Sequence, residues 1–218
     1  MYYYDNNAMP YRYCTSVGVY QGYDSKKHLH MVAIKNGNEL LHESEKRYSV
    51  EYLDEFQFMI WYACHGEIIK ESEMYEMASK FWEEAEFPKR PLLKCYNELR
   101  EKKLVDTVEM YDAATLCTLI EKIQPFVIDL KSVFCCKKSI GLFIKVCMMA
   151  IASVFLPSQE KHILKYFKKN PSSNFVNYMR VNNIISEKYD CFIRDVNSLF
   201  YKGYLIPIGW TTTLPSSI

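Results

Sequence analysis

Apolar residues along the first half of the chain recur at helical spacing in three successive blocks. Val50, Leu53, Phe56, Ile60 and Cys64 form the first, with Ser49 as its predicted N-cap and Gly66 as its stop. Met74, Met77, Ala78, Phe81 and Trp82 form the second, at i, i+3, i+4, i+7 and i+8. A linker containing Pro88 leads to Pro91, which suits a first helical turn, and a third block over 92–104. The same order returns after Pro157, where Ser158 is the predicted cap. Ile163, Leu164 and Phe167 open it, Phe175, Val176 and Met179 follow the turn at 170–174, and Tyr189, Phe192, Ile193, Val196, Leu199 and Phe200 make a continuous stripe. Upstream, 11–20 and 28–34 read as strands. Asn36-Gly37 predicts a type I′ hairpin pairing Ala33 with Leu40, with Leu29, Met31, Ala33 and Leu40 on the buried face. A short strand is also predicted over 47–50. Residues 113–156 read as helical on both sides of a break at Pro125, and 211–218 as irregular.

The third blocks match at an offset of 100 residues. Asn97, Leu99 and Lys102 are repeated as Asn197, Leu199 and Lys202, and each block runs into a β-like segment, 104–108 and 205–208. A helix that ends in a basic residue and turns straight into a strand resembles the close of a winged helix-turn-helix unit. The expected fold is therefore α+β, mainly α: two winged-helix units with an N-terminal β-hairpin and a helical connector. The expected domains are 1–112, 113–156 and 157–218. Over about residues 28–105, the order of hairpin, Tyr48-Ser49-Val50, Ile60-Trp61, Gly66 and two further helices resembles the PqqD-type peptide-recognition domain. That resemblance implies a peptide groove formed by the sheet edge at Tyr48 and Val50 and the helix face at Leu93 and Asn97.

Charge sharpens the division. Residues 1–130 carry 15 Lys/Arg against 22 Asp/Glu, a net of −7, and residues 131–218 carry 12 against 4, a net of +8. A basic half suits phosphate, and an acidic half suits a protein or peptide partner. Apolar content of 49% excludes a disordered chain. The eight cysteines show neither CxxC nor zinc spacing, and Cys135-Cys136 has nothing nearby to complete a site, so reduced thiols in a cytoplasmic protein are expected. The N-terminus lacks the basic and apolar regions of a signal peptide. Residues 140–156 are apolar but short for a membrane span and contain Lys145, so a buried or dimer-forming helix is expected there.

No GxSxG, P-loop, Rossmann glycine or HExxH motif is present, and no catalytic residue is assigned. His28 and His30, opposite Glu43 and Glu45 in the predicted register, could hold a divalent metal or form cross-strand charge pairs. No metal or cofactor is assigned. The expectation is a non-enzymatic DNA-binding protein, a transcriptional regulator or a replication or partition factor, possessing two recognition helices. The first would offer Lys89, Arg90, Lys94, Asn97, Arg100, Lys102 and Lys103. The second would offer Lys188, Arg194, Asn197 and Lys202, flanked by Lys161, Lys165, Lys168, Lys169 and Arg180. Double-stranded DNA is the expected partner and a homodimer the expected assembly. A peptide- or protein-binding module without DNA affinity is the alternative.

Overall fold

The computed structural model describes residues 11–35, 48–84, 90–110, 112–128 and 147–211. Helices and strands intermix as an α+β fold. The chain begins with β1 (Tyr11–Ser16), β2 (Val19–Asp24), β3 (Leu29–Lys35) and β4 (Tyr48–Leu53), and then α1 (Glu55–Ala63). β5 (Ile69–Lys70) leads into α2 (Glu71–Glu84), and α3 (Leu92–Glu101) into β6 (Val105–Met110). Next come α4 (Ala113–Lys122) and β7 (Ile123–Val127). After a helical stretch over 147–152 and a 3-10 turn at Ser153–Phe155 come α5 (Ser158–Lys169), α6 (Phe175–Val181), α7 (Tyr189–Tyr201) and β8 (Leu205–Trp210).

β1 does not pair with its neighbour β2. It is the middle strand of an antiparallel sheet, flanked by β5 and β6, with Cys14 opposite both Ile69 and Thr107. The chain leaves that sheet at Gly18, whose φ of +113° favours glycine and where a Cβ would meet Val32 at 2.5 Å. β2, β3 and β4 then form a meander with β3 in the centre. Ala33 is opposite Val19 on one side and Val50 on the other, so Leu40 is not its partner. Asn36-Gly37 lies outside the described residues. The face is also the reverse of the expected one, since Val32 and Ile34 are buried while Leu29, Met31 and Ala33 are only half-buried. Alternation shows that a strand has two faces, but the packing partner decides which turns inward.

Ser49 lies within β4 and caps no helix. α1 starts six residues later, behind a capping box in which the Asp54 carboxylate accepts from the Gln57 backbone and the Gln57 side chain accepts from Asp54 N–H. Pro125 does not break a helix. It sits in β7, beside the register shift at Gln124/Pro125 that relieves the missing N–H, and β7 pairs antiparallel with β8. β8 also meets β3 in parallel at Lys35 and Gly209.

Two apolar clusters fill the molecule. One gathers Cys14, Val32, Leu53, Ile60, Trp61, Met74, Tyr96, Leu99 and Leu104 around α1, α2 and α3. The other gathers Leu119, Ile120, Ile163, Phe167, Phe175, Phe192, Val196, Leu199 and Phe200, and it includes Ile68 from the first half. Trp210 packs against both clusters and donates its indole N–H to the Lys103 carbonyl at 2.6 Å. α4 packs against both β6 and α7. Of the segment 140–156, expected as a buried or dimer-forming helix, residues 147–156 are described, and they are not buried within the chain: Met148, Ile151 and Val154 are exposed, and Phe155 is 84% exposed. Only Leu156 is buried there, while Met149 packs on the second cluster and accepts at its carbonyl from the Tyr204 hydroxyl.

Candidate nucleic-acid interface

The two third helices close with the same hydrogen bonds. At the end of α3, Lys102 N–H donates to Glu98 O at 3.0 Å, Lys103 N–H to Arg100 O at 3.0 Å, and Leu104 N–H to Leu99 O at 2.9 Å. At the end of α7, Lys202 donates to Ser198 O at 3.0 Å, Gly203 to Phe200 O at 2.9 Å, and Tyr204 to Leu199 O at 3.0 Å. The turn residue is left-handed in each, with φ of 55° at Lys103 and 73° at Gly203. α6 ends in the same way, with Asn182, Asn183 and Ile184 donating to Tyr178, Arg180 and Met179 and a φ of 48° at Asn183, so the shared turn is a common helix ending and not a mark of the 100-residue offset.

The expected contact residues divide into free and engaged groups. In the first half, Arg90 is engaged. Its guanidinium bonds Asp54, and its Nη2 spans both oxygens of Glu98 at 2.6 and 2.5 Å. Gln57 completes the network, donating to Glu98 at 2.6 Å. Burial opposes ionisation of Glu98, yet its bonds from Arg90 and Gln57 hold the carboxyl below its usual range. Lys102 is also engaged, donating to the Tyr52 carbonyl at 2.8 Å. Lys94, Asn97, Arg100 and Lys103 are exposed, and Lys89 lies outside the described residues.

In the second half Asn197 reaches no solvent-facing target. Its Oδ1 accepts from the Ile68 backbone N–H at 3.2 Å and its Nδ2 donates to the Ile68 carbonyl at 3.4 Å, which fastens α7 to the segment before β5. Lys202 bonds both oxygens of Glu160 at 3.0 and 2.9 Å, and Glu160 is buried. Asp195 is turned inward, and burial raises its carboxyl despite the neighbouring Arg194. Lys188 and Arg194 are exposed, Arg194 beside Asp195 at 3.8 Å, and Arg180 is held by Asn177 at 3.0 Å.

Among the described residues, a group of four exposed cations without ion pairs lies on α5. Lys161, Lys165, Lys168 and Lys169 occupy i, i+4, i+7 and i+8, all exposed, and none forms an ion pair among the described residues. The opposite side of α5 carries Ile163, Leu164 and Phe167 into the core. The one acid in this helix, Glu160, is buried and paired with Lys202, so the helix itself contributes no acid to its outer face. At the C-terminal end of α5 a shallow depression of about 390 Å³ is lined by Tyr166, Asn170, Ser173, Asn177 and Arg180.

Comparison with protein-family models, curated proteins and solved structures finds no match to the chain. Its chemistry is therefore read from its own residues.

The histidines and cysteines are held by local partners. His30 stacks on Phe58 with centroids 3.8 Å apart, and is hydrogen-bonded to Glu55 at 2.9 Å and to Tyr20 at 3.2 Å. His28 meets Tyr23, and Glu43 and Glu45 lie outside the described residues, among which no metal-holding group of side chains occurs. Sequence reasoning missed Glu55 as the partner of His30. The D-x-x-Q capping box at Asp54 was the available signal, because it fixes where α1 begins and so which residues face β3. His65 stacks on Trp61, and burial pushes its imidazole down to about 4, so it is neutral at neutral pH. Cys14, Cys64, Cys95 and Cys117 are free and buried. Burial raises Cys95 to about 11 and Cys117 to about 12. Such thiols are poor nucleophiles. Of the expected peptide groove, Val50 and Leu93 are exposed, Asn97 is exposed, and the Tyr48 side chain lies outside the described residues. No described helix is long and apolar enough to cross a membrane.

Proposed function

We propose that the chain is a non-enzymatic DNA-binding protein whose principal phosphate-contacting surface is the outer face of α5. One observation carries this reading: four exposed lysines share that face, and the acid in the same helix is buried and paired. Long flexible cations in this state release counterions when they neutralise phosphates, which favours binding without reading sequence. The chain order also supports a winged-helix reading of the first half, with α1, β5, α2, α3 and β6 in succession and β1 supplying the middle strand of the small sheet. Asn197 and Lys202 have no part in the interface, since both are engaged in internal hydrogen bonds.

Fluorescence anisotropy with a mixed-sequence duplex across a salt series tests the proposal. Log affinity is expected to fall linearly with log salt. Replacing Lys161, Lys165 and Lys168 together by Gln is expected to flatten the slope by about 0.9 for each phosphate that is no longer neutralised. Absence of binding at low salt, or an unchanged slope in the triple variant, would overturn it.

A further inference from the structure

The turn between α5 and α6 is fixed from both sides. Asn170 donates its side-chain amide back to the Tyr166 carbonyl at 2.9 Å, Ser173 N–H donates to the Asn170 carbonyl at 2.9 Å, and the Ser173 carbonyl accepts from the buried Gln124 side chain at 3.2 Å. Asn174 then caps α6 by accepting from Asn177 N–H at 2.9 Å. The depression of about 390 Å³ is lined by this turn, so its walls are set before any ligand arrives. No aspartate or glutamate lines it, and Arg180 supplies its charge. Arg180 forms no ion pair among the described residues, and its Nη2 donates to Asn177 Oδ1 at 3.0 Å. That bond uses the amide oxygen and leaves the Asn177 amide N–H groups without a partner among the described residues. Tyr166 and Ser173 share one hydrogen bond between their hydroxyls at 2.9 Å. It uses one of their two protons, so the pair retains an O–H to donate. The rest of the wall is apolar: Pro171, the ring of Tyr166, and Val181, which is 64% exposed.

We propose that the depression between α5 and α6 binds a small organic phosphate in which a single planar ring carries the phosphate group. Arg180, the Asn177 amide and the spare hydroxyl are all donors, and the lining offers no carboxylate to repel an anion. A phosphate monoester presents three peripheral oxygens around a tetrahedral centre, which donors arriving from α5, the turn and α6 can each meet. A carboxylate presents two in one plane and leaves a donor unused. Pro171, Val181 and the Tyr166 ring cover the planar part of the ligand. The volume is at the lower end for ligand sites and suits one ring with its phosphate better than a dinucleotide. Lys168 and Lys169, exposed on the last turn of α5, make the surroundings more favourable to an anion. None of the donors belongs to the lysine face assigned to duplex DNA, so the site stands or falls independently of that reading.

A ligand-observed NMR titration of the whole chain with phenyl phosphate tests the proposal, with phenol, benzoate and inorganic phosphate for comparison. Phenyl phosphate is expected to bind with a Kd of about 1 mM or tighter, the range open to a ligand of this size. Phenol, benzoate and inorganic phosphate are each expected to bind about ten-fold more weakly. Arg180→Gln and Asn177→Ala should each weaken phenyl phosphate about ten-fold with unchanged thermal midpoints, since Arg180 is exposed and Asn177 half-buried. Arg194→Gln removes an exposed cation that does not line the depression, and should leave the affinity within about two-fold. Absence of phenyl phosphate binding at millimolar concentration would overturn the proposal, as would equal binding of phenol, benzoate or inorganic phosphate. So would unchanged affinity in the Arg180 and Asn177 variants, or an equal loss in Arg194→Gln, which would reduce the binding to diffuse attraction by the basic half.

Discussion

α3 and α7 share a pattern of apolar spacing, a closing turn and a following strand, yet they serve different ends. α7 is buried along its length: Phe192, Ile193, Val196, Leu199 and Phe200 all enter the cluster that includes Ile68, the rings of Phe192 and Phe200 both meet Phe175, and Asn197 holds the main chain of Ile68. α3 buries Cys95, Tyr96 and Leu99, and leaves Leu93, Asn97 and Arg100 to solvent. The difference lies in the surroundings and in a few substitutions. Position 100 is Arg where position 200 is Phe, and position 98 is Glu where position 198 is Ser. One repeated element thus acts as a junction in one half and as an open surface in the other. The comparison also shows why an asparagine at a repeated position is a poor guide to base reading: its amide is well suited to gripping backbone, and in α7 that is what it does.

The largest effects should come where the two helices are alike. Leu99 and Leu199 are both fully buried, so Leu99→Ala and Leu199→Ala are each expected to cost about 2–5 kcal/mol in urea unfolding. A large cost at one position and none at the other would break the equivalence of the two cores. A smaller effect should separate the faces. Asn197→Ala removes both bonds to Ile68 in a closed interface and is expected to cost about 1–3 kcal/mol, whereas Asn97→Ala, at an exposed site, should stay within about 0.5 kcal/mol. Comparable costs from the two would mean that the α3 face is already covered. The smallest effect concerns the turn. Lys103 holds φ of 55° where Gly203 holds 73°. Lys103→Gly is expected to raise stability by about 0.5–1 kcal/mol, and Gly203→Lys to lower it by about 1 kcal/mol, read as opposite shifts in thermal midpoint. Shifts of the same sign would show that side-chain packing at the turn outweighs its backbone.

The α5 lysines were legible in the sequence as a basic run, because i, i+4, i+7 spacing puts them on one face whatever they pack against. Arg90, Lys102, Asn197 and Lys202 were indistinguishable from them at that level. What removed them were partners 36, 50, 129 and 42 residues away, Asp54, Tyr52, Ile68 and Glu160. Sequence spacing reports which residues share a face of one element. It does not report what other element arrives there.

The amino-acid sequence by itself determined the helical blocks over 74–82 and 92–101 and those after Pro157, the stripe of α7 and the opposite charge of the two halves, since each depends on local periodicity or composition, whereas Val50 and Leu53, read as the start of the first helix, belong to β4. The tertiary structure alone decided that β1 pairs with β5 and β6, where Cys14 meets Ile69 on one side and Thr107 on the other. It also decided that Val32 and Ile34 turn inward, that Pro125 enters a strand, and that Asn197 is a clamp. Strand pairing and burial are settled by which surfaces meet, and an edge or a face carries no record of its partner until the chain has folded.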